Sequence, residues 1–237
     1  MTLTSPTTHV ISGTTRRSDG DWAEQRVPAQ LDELKRLVRR RYGGMPKRIV
    51  WAEQTHGAQV LPVGDEDGFS GQADALITDR PDALLTIRTA DCVPVFLESE
   101  TGVGIVHAGL AGALKQIFPR AVRAMRREYK VRPEDLLVRF GPHICGSCYD
   151  MSPNNLALLE KYPDAKRFMQ PRGDRRFFSL IDLLVSQAGE LGVRRLEADP
   201  RCTYHDSDLF SARRGHDHRQ LSFVMLTRPG QDHIKNA

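Results

Sequence analysis

Short runs of apolar residues, many alternating with polar ones, recur along the chain and predict β-strands. These runs occupy positions 9–15, 48–54, 58–63, 83–89, 93–98, 103–108, 136–141 and 221–227. Apolar residues at helical spacing predict helices over 28–42, roughly 112–130, 154–161 and 179–191. Ser179, with Asp182 three residues later and Gly192 after the last turn, predicts caps at both ends of the final helix. Pro119 should kink the second helix or mark its true start.

The order of these elements indicates the fold class. Strands cluster in the middle of the chain, and helices fall between and after them with short connections. This order favours an α/β fold of the α+β kind with mixed sheets over a regular alternation of strand and helix. No internal repeat and no linker rich in Pro, Gly or Ser divides the sequence, so we expect a single domain over residues 1–237.

Composition narrows the class of protein without identifying it. The 237 residues include 34 Lys and Arg against 30 Asp and Glu, a net charge of +4, and 40% are hydrophobic. No apolar run is long enough to span a bilayer, and the N-terminal segment lacks the apolar stretch of a signal peptide, so we expect a cytoplasmic protein without a membrane partner. The run Arg39–Arg41 ends a predicted helix, where cations are favourable, and no nucleic-acid-binding module accompanies it. We therefore expect a small-molecule substrate and no nucleic acid.

Four cysteines are present, and a cytoplasmic location predicts that they are thiols. The spacing of Cys145 and Cys148 is compatible with a zinc knuckle or a redox pair. A knuckle needs a second ligand pair, for which the sequence offers only Cys202, and no helix follows Cys148 as a redox site would require. We therefore expect Cys145 and Cys148 to be neither metal ligands nor an essential disulfide.

Three chemically capable side chains stand at the ends of predicted strands. His56 follows the run 48–54, Cys92 opens the run 93–98, and His107 lies near the end of the run 103–108. One thiolate and two imidazoles are a known ligand set for catalytic zinc, with a fourth position left for water or substrate. The same residues could be packed core side chains, or Cys92 and His107 could be a metal-free catalytic pair. The spacings alone do not decide among these alternatives.

Ordered fragments over most of the chain carry a resemblance to a known family. They are SGTTRRSDG, WAEQTHGAQV, GQADALITDRPDALLTIRTADCVPVFL, VGIVHAGLAG, FGPHICGSCYDM, SLIDLLVSQAGELGV and RCTYHDSDLFSARRGHDHRQLSFVML. Together they make the chain resemble the YfiH family, also called the polyphenol oxidase or laccase-domain family, to which the mammalian protein FAMIN belongs.

The resemblance implies a fold, a metal site and an activity. It implies one α/β domain of mixed sheets flanked by helices, with zinc held by His56, Cys92 and His107, and a site similar to that of a toxin glutamine deamidase. The implied activities are those of a purine nucleoside phosphorylase, a transferase, including cleavage of methylthioadenosine, and of an adenosine deaminase, a hydrolase. Some bacterial members are linked instead to correcting peptidoglycan precursors.

Further residues are candidates for binding substrate. The matched segments contain Arg16, Gln54, Tyr149, Arg213 and Arg214, with Glu53 and Cys148 as further candidates for the pocket wall. Arginines could hold phosphate, and Tyr149 could stack on a base. Asp74 and Asp91 are expected to orient the metal ligands or to form turns.

The chain departs from the family pattern where substrate contacts are expected. The family reads HAGWRG where this chain has residues 107–112 as HAGLAG, and SYRR where it has Ser211–Arg214 as SARR. A tryptophan, an arginine and a tyrosine are thereby replaced by Leu110, Ala111 and Ala212.

Three functions are consistent with these residues. The first is a zinc-dependent enzyme that phosphorolyses or deaminates purine nucleosides. The second is a metal-free cysteine hydrolase or deamidase with Cys92 as nucleophile and His107 as base. The third is a non-catalytic binding protein. Copper laccase activity is disfavoured because it needs a multi-histidine copper cluster, and the single His-x-His sequence, 216–218, lies in a polar segment.

Overall fold

The computed structural model describes residues 9–23 and 28–227. The helices are α1 (Pro28–Tyr42), α2 (Leu110–Leu114), α3 (Ile117–Tyr129), α4 (Pro153–Leu159) and α5 (Leu180–Leu191). The first strands are β1 (Val10–Thr14), β2 (Arg48–Glu53), β3 (Val60–Pro62), β4 (Gly68–Gln72), β5 (Ala75–Thr78), β6 (Ala83–Thr89) and β7 (Val93–Glu98). They are followed by β8 (Val103–Ala108), β9 (Leu137–Phe140), β10 (Met169–Arg172), β11 (Arg175–Phe178), β12 (Arg195–Ala198) and β13 (Gln220–Leu226).

Two mixed sheets organise the described residues. One has the strand order β1-β13-β6-β2-β4, and the other has the order β12-β9-β7-β8-β5-β3. β10 and β11 form a separate hairpin. Antiparallel pairs such as β7 with β8 lie beside parallel pairs such as β9 with β12. The mixed α/β class predicted from the sequence is confirmed.

The sheets stack face to face between two layers of helix. Side chains alternate along each strand, so one face of a sheet contacts the other sheet while its opposite face contacts helices. In β13, Phe223 packs with α1 residues and Val224 packs between the sheets. In β7, Val95 packs against α3, whereas Phe96 faces the other sheet. In the described part of the chain, these alternating positions build three apolar cores, one under α1, one between the sheets and one under α2, α3 and α5.

Most predicted elements are present. Each predicted apolar run contains a strand, and α1, α4 and α5 lie at the predicted helices. The hydroxyl of Ser179 accepts a hydrogen bond from the backbone of Asp182, and Gly192 ends α5 in the left-handed conformation, as predicted. The predicted helix 112–130 is divided into α2 and α3, with Gln116 left-handed between them and Pro119 in the first turn of α3.

The sheet topology places the candidate residues at one edge. β7 and β8 are antiparallel, with Val93 opposite Ala108 and Pro94 opposite His107. Cys92, immediately before β7, therefore lies beside the end of β8. Within residues 9–23 and 28–227, no helix is long and apolar enough to cross a membrane.

Candidate active site

His56, Cys92 and His107 converge at this edge. Their potential ligand atoms all lie within 4.8 Å of one another, and the two imidazole rings meet edge to face with centroids 4.8 Å apart. His107 is buried, Cys92 is half-buried and His56 is exposed. The three residues that the sequence analysis selected are therefore brought together and open on one side to solvent.

The carboxylate of Asp74 holds both histidines in place. Its Oδ1 lies 2.8 Å from Nδ1 of His107, which leaves the other ring nitrogen of His107 free to face Cys92. The same carboxylate accepts backbone hydrogen bonds from Thr55, His56 and Gly57 at 3.2, 3.0 and 2.7 Å. Asp74 is fully buried, yet its pKa is lowered because these donors outweigh the cost of burial. It is thus an ionised anchor for the loop that carries His56 and for the ring of His107.

Cys92 and His107 shift each other's pKa in opposite directions. Burial alone would raise the pKa of the Cys92 thiol, but the charge of His107 and hydrogen bonds from His107 and His56 outweigh it and lower that pKa to about 6. Burial opposes protonation of His107, but Cys92 and Asp74 raise the pKa of the imidazole to about 9. Without a metal, both shifts favour the thiolate of Cys92 and the imidazolium of His107.

Backbone geometry at the site depends on unusual conformations and on one glycine. His56 and Asp91 have φ of 55° and 90°, in the region that non-glycine residues seldom adopt. A Cβ on Gly109 would lie 3.0 Å from Sγ of Cys92 and 3.0 Å from Cδ2 of His56. A methyl group at position 109 would therefore be in tight contact with both side chains.

The three residues lie in a cavity of about 680 Å³. Of the predicted substrate-binding residues, Gln54, Tyr149 and Arg213 line it. Arg16 lines a different cavity, beside Tyr42 and Arg201, and Arg214 turns away to donate to the carbonyl of Leu209. Glu53 and Cys148 also lie outside the wall.

The sequence analysis missed four residues that line the cavity, because no local motif marks them. They are Arg88, Asn155, Asp217 and Arg219.

One side of the cavity carries a cation over an aromatic ring. The guanidinium of Arg213 lies 5.4 Å from the centroid of the Tyr149 ring and donates to the carbonyl of Asp150 at 2.6 Å. Burial raises the pKa of Tyr149 to about 12, so its hydroxyl stays neutral. The wall therefore offers a positive charge and an aromatic face next to Cys92 and the two histidines.

Asp91 connects this wall to the site. Its carboxylate accepts a hydrogen bond of 2.7 Å from the hydroxyl of Thr203 and another of 2.7 Å from the backbone of Arg213. Its carbonyl accepts from the backbone of Ile144 at 3.0 Å. One buried residue next to Cys92 thus joins three loops that come from distant parts of the chain.

The positions that depart from the family pattern differ in their relation to the cavity. Leu110 and Ala212 line it, whereas Ala111 does not. Leu110 is also buried at the first turn of α2. The lost aromatics therefore fall at positions on the cavity wall, and the lost arginine falls at a position whose present side chain, Ala111, does not line it.

A second group of possible metal ligands lies nearby. Within the two described ranges, two groups could hold a metal ion: His56 with Cys92 and His107, and Cys145 with Cys148, Cys202 and His205. The sequence argument that Cys145 and Cys148 lack a second pair is wrong, because Cys202 and His205, three residues apart, supply it. Neither group contains the set of histidines that a copper cluster of the laccase type requires.

The donor atoms of the first group, His56, Cys92 and His107, are well suited to binding a metal ion. One thiolate and two imidazoles leave a coordination position open. The carboxylate behind His107 is the arrangement that commonly orients a metal-ligating histidine.

Comparison with solved structures identifies the proteins that share this fold. YfiH from Bacillus licheniformis has a TM-score of 0.80 at 23% identity, over 92% of this chain and 93% of that one. YlmD from Geobacillus stearothermophilus has a TM-score of 0.81 at 23% identity, over 95% and 94% of the two chains. The described architecture is thus the YfiH fold.

Sequence comparisons identify the family. The family described as multi-copper polyphenol oxidoreductase laccase matches residues 16–227. A Streptomyces coelicolor protein named purine nucleoside phosphorylase is 32% identical over 193 residues, 79% of this chain and 78% of that protein. A Corynebacterium glutamicum protein of the same name is 34% identical over 212 residues, 86% and 83% of the two chains. The chain belongs to this YfiH, or laccase-domain, family.

Proposed function

We propose that this protein is a zinc-dependent purine nucleoside phosphorylase. The observation that carries the proposal is the convergence of His56, Cys92 and His107 on a cavity whose wall also carries Arg213 and Tyr149. The names of the relatives from Streptomyces coelicolor and Corynebacterium glutamicum support the same activity. Deamination of adenosine is an alternative reaction at the same site, and its product, inosine, distinguishes it from phosphorolysis.

The metal ligands would be Nε2 of His107, Sγ of Cys92 and a ring nitrogen of His56. A zinc ion bound there supplies Lewis-acid polarisation of an oxygen ligand. The chain supplies orientation, because Asp74 fixes the ring of His107 and the backbone of the His56 loop at once.

The cavity wall would bind the two reactants. Arginine is suited to phosphate because its guanidinium presents several donors in a plane, and Arg213 lies on the wall beside Tyr149. The ring of Tyr149 offers a face on which a purine can stack. In the reaction a phosphate oxygen forms a bond to C1′ of the ribose as the C1′–N9 bond breaks. The proton lost by phosphate passes to the departing purine.

Product analysis tests the proposal directly. The purified protein is assayed for zinc and incubated with adenosine, inosine and methylthioadenosine, with and without phosphate. We expect free base and a sugar phosphate that form only when phosphate is present. Inosine formed from adenosine without phosphate would show deamination, and the absence of any product from all three nucleosides would contradict the proposal.

Paired arginine variants test the phosphate contact. Arg213→Ala should lower kcat/KM for phosphorolysis by roughly one to two decades, because one charge-assisted contact is worth about 1.5–3 kcal/mol. The control is Arg123→Ala, on an exposed position of α3, which should leave kcat/KM unchanged. Equal effects of the two substitutions would contradict the assigned contact.

The departures from the family pattern predict a weaker activity than that of the relatives. Leu110 and Ala212 give a base fewer aromatic surfaces to stack on, although the wall retains Tyr149. Leu110→Trp should therefore raise kcat/KM for adenosine, whereas Ala111→Arg, outside the wall, should change it less. An unchanged rate in a Leu110→Trp variant that still binds zinc would place the base elsewhere.

A metal-free cysteine hydrolase is the second candidate function. The buried contact of Cys92 with His107 favours it, since an imidazole that keeps a thiol ionised is the arrangement of a cysteine nucleophile. Full activity after chelation, with irreversible loss on alkylation of Cys92, would establish this second function. Loss on chelation with recovery on adding zinc supports the first.

A further inference from the structure

Cys145, Cys148, Cys202 and His205 form a second compact cluster that shares no residue with the first. Each contributes one potential ligand atom, and these four atoms all lie within 4.8 Å of one another. All three cysteines are free, half-buried thiols. The function proposed above uses none of them.

The sheet brings the two halves of this cluster together. β9 and β12 are parallel neighbours, with Phe140 opposite Ala198, so the chain leaves both strands at the same edge. The backbone pairing continues past the strands, because the amide of Thr203 donates to the carbonyl of His143 at 3.0 Å. The two pairs of ligands thus lie on adjacent turns that the core of the protein fixes in register.

Each pair lies on its own tight turn. The amide of Cys148 donates to the carbonyl of Cys145 at 3.0 Å, and the amide of His205 donates to the carbonyl of Cys202 at 3.0 Å. The ligands in each pair are therefore three residues apart on one turn, the spacing by which paired ligands hold structural zinc.

Contacts across the cluster join the two turns. Sγ of Cys148 lies 3.1 Å from Nε2 of His205, and the amide of Cys145 donates to Sγ of Cys202 at 3.3 Å. Zinc bound tetrahedrally at about 2.3 Å from sulfur places neighbouring sulfurs about 3.8 Å apart. The four atoms are thus already near the separations that a bound ion would impose.

We propose that Cys145, Cys148, Cys202 and His205 bind a structural zinc ion. Three thiolates and one imidazole form a soft donor set that selects zinc over magnesium or calcium. Four protein ligands close the tetrahedron and leave no position for water or substrate, in contrast to the three ligands of the first site. This proposal does not depend on the function proposed for the first site.

The position of the cluster indicates what the ion would stabilise. The first turn leads directly into Tyr149, which lines the cavity. In the second turn, Thr203 donates its hydroxyl to Asp91, the neighbour of Cys92. A zinc ion here would therefore fasten together two loops that shape the wall of the cavity.

Metal counting in variants of each cluster tests the proposal. The double variant Cys148→Ser with His205→Ala should contain one zinc equivalent per chain less than the unmodified protein. The double variant His56→Ala with His107→Ala should retain the zinc bound by the second cluster. Unchanged zinc content in the first double variant would overturn the proposal, whatever the first site binds.

Conservative substitutions separate loss of a ligand from loss of the fold. His205→Cys replaces one zinc ligand by another and should retain the metal, whereas His205→Ala should lose it and lower the Tm. Tyr204→Phe, between the two ligands of the second turn, is the matched control and should retain both metal and Tm. Loss of zinc in the Tyr204→Phe variant, or its retention in His205→Ala at full occupancy, would contradict the assignment.

Cobalt substitution and intact mass provide independent measurements. In the His56→Ala with His107→Ala variant, bound cobalt should show the strong thiolate charge-transfer absorption and the visible bands of a tetrahedral site with three thiolates. The Cys148→Ser with His205→Ala substitutions, added to this variant, should abolish that spectrum. An unreduced protein lighter by the mass of two hydrogens, from a Cys145–Cys148 disulfide, would overturn the proposal.

Discussion

The carboxylate of Asp74 serves two segments that are far apart in the chain. It receives three backbone donors from the loop of residues 55–57 and faces Nδ1 of His107. A neutral amide could accept some of these bonds, but it could not balance the charge of the imidazolium. The position of two site histidines thus depends on one ionised side chain.

Asp74→Asn should loosen the first site. We expect the free energy of unfolding to fall by about 1–3 kcal/mol, because a buried charge-assisted hydrogen bond is lost. Zinc affinity should fall by ~10- to 100-fold, the usual effect of removing the partner of a ligating histidine. Urea unfolding and competitive zinc titration measure the two quantities. His9→Ala, at the edge of β1, is the control. An Asp74→Asn protein with the same free energy of unfolding and the same zinc affinity as His9→Ala would contradict the role of Asp74.

Gly109→Ala tests close packing inside the site. Gly109 has φ of −81°, so alanine fits the backbone, but its methyl would lie 3.0 Å from Cys92 and from His56. We expect zinc affinity and activity to fall at least ~10-fold, a cost of about 1.4 kcal/mol. Gly189→Ala in α5 is the control: nothing lies within 4 Å of the new methyl, and the helix should gain about 0.5–1 kcal/mol. Wild-type zinc affinity in Gly109→Ala would show that the loop yields without cost.

At the scale of elements, α5 shows how local sequence determines where a helix begins and ends. The hydroxyl of Ser179 accepts from the amide of Asp182 at 3.3 Å, which satisfies a donor that the first helical turn leaves free. Gly192 ends the helix at φ of 80°. Both signals lie within a few residues of the helix, which is why they could be predicted.

Ser179→Ala should cost about 1 kcal/mol, the typical value of an N-terminal cap. The comparison is Ser18→Ala, at an exposed position ahead of α1, which should change the free energy of unfolding by less than about 0.5 kcal/mol. Chemical denaturation of both variants measures the difference. Similar values for the two would show that the cap contributes nothing beyond an ordinary surface serine.

Other elements escaped prediction because their signals are weak or distant. β4 contains Gly68 and Gly71 with φ of 98° and 99°, so its sequence reads as a loop. β10 and β11 carry mostly exposed polar residues. The spacing of Cys202 and His205 is local and was overlooked in the sequence, whereas their approach to Cys145 and Cys148 depends on the pairing of β9 with β12. By contrast, His56, Cys92 and His107 were predicted because each marks the end of a strand.

At the scale of the whole molecule, a buried polar cluster crosses between the two sheets. Glu98 on β7 accepts a 2.6 Å hydrogen bond from the hydroxyl of Ser12 on β1 and lies 3.7 Å from Nε of Arg139 on β9. Arg139 also lies 3.2 Å from the half-exposed Glu197 on β12. The charged members all lie on strands of one sheet, so it is the hydrogen bond from Ser12 to Glu98 that joins the two sheets.

Glu98→Ala should be strongly destabilising. Removing one partner from a buried ion pair leaves the other charge in the core, and we expect a loss of about 3 kcal/mol. Glu197→Ala removes the half-exposed carboxylate of the same arginine and should cost less than about 1 kcal/mol. Urea unfolding ranks the two; a larger effect of Glu197→Ala would contradict the importance of the buried pair.

The long sequence separations at the first site bear on the order of events during folding. Asp74 and His107 are 33 residues apart, and their contact requires β5 and β8 to have paired already. We therefore expect the trio to bind a metal ion only after these two strands have paired. Cys145 and Cys148 lie on one turn, so this pair can bind a metal ion before the rest of the chain has folded. On refolding with zinc, we expect metal uptake at Cys145 and Cys148 to precede uptake at the trio.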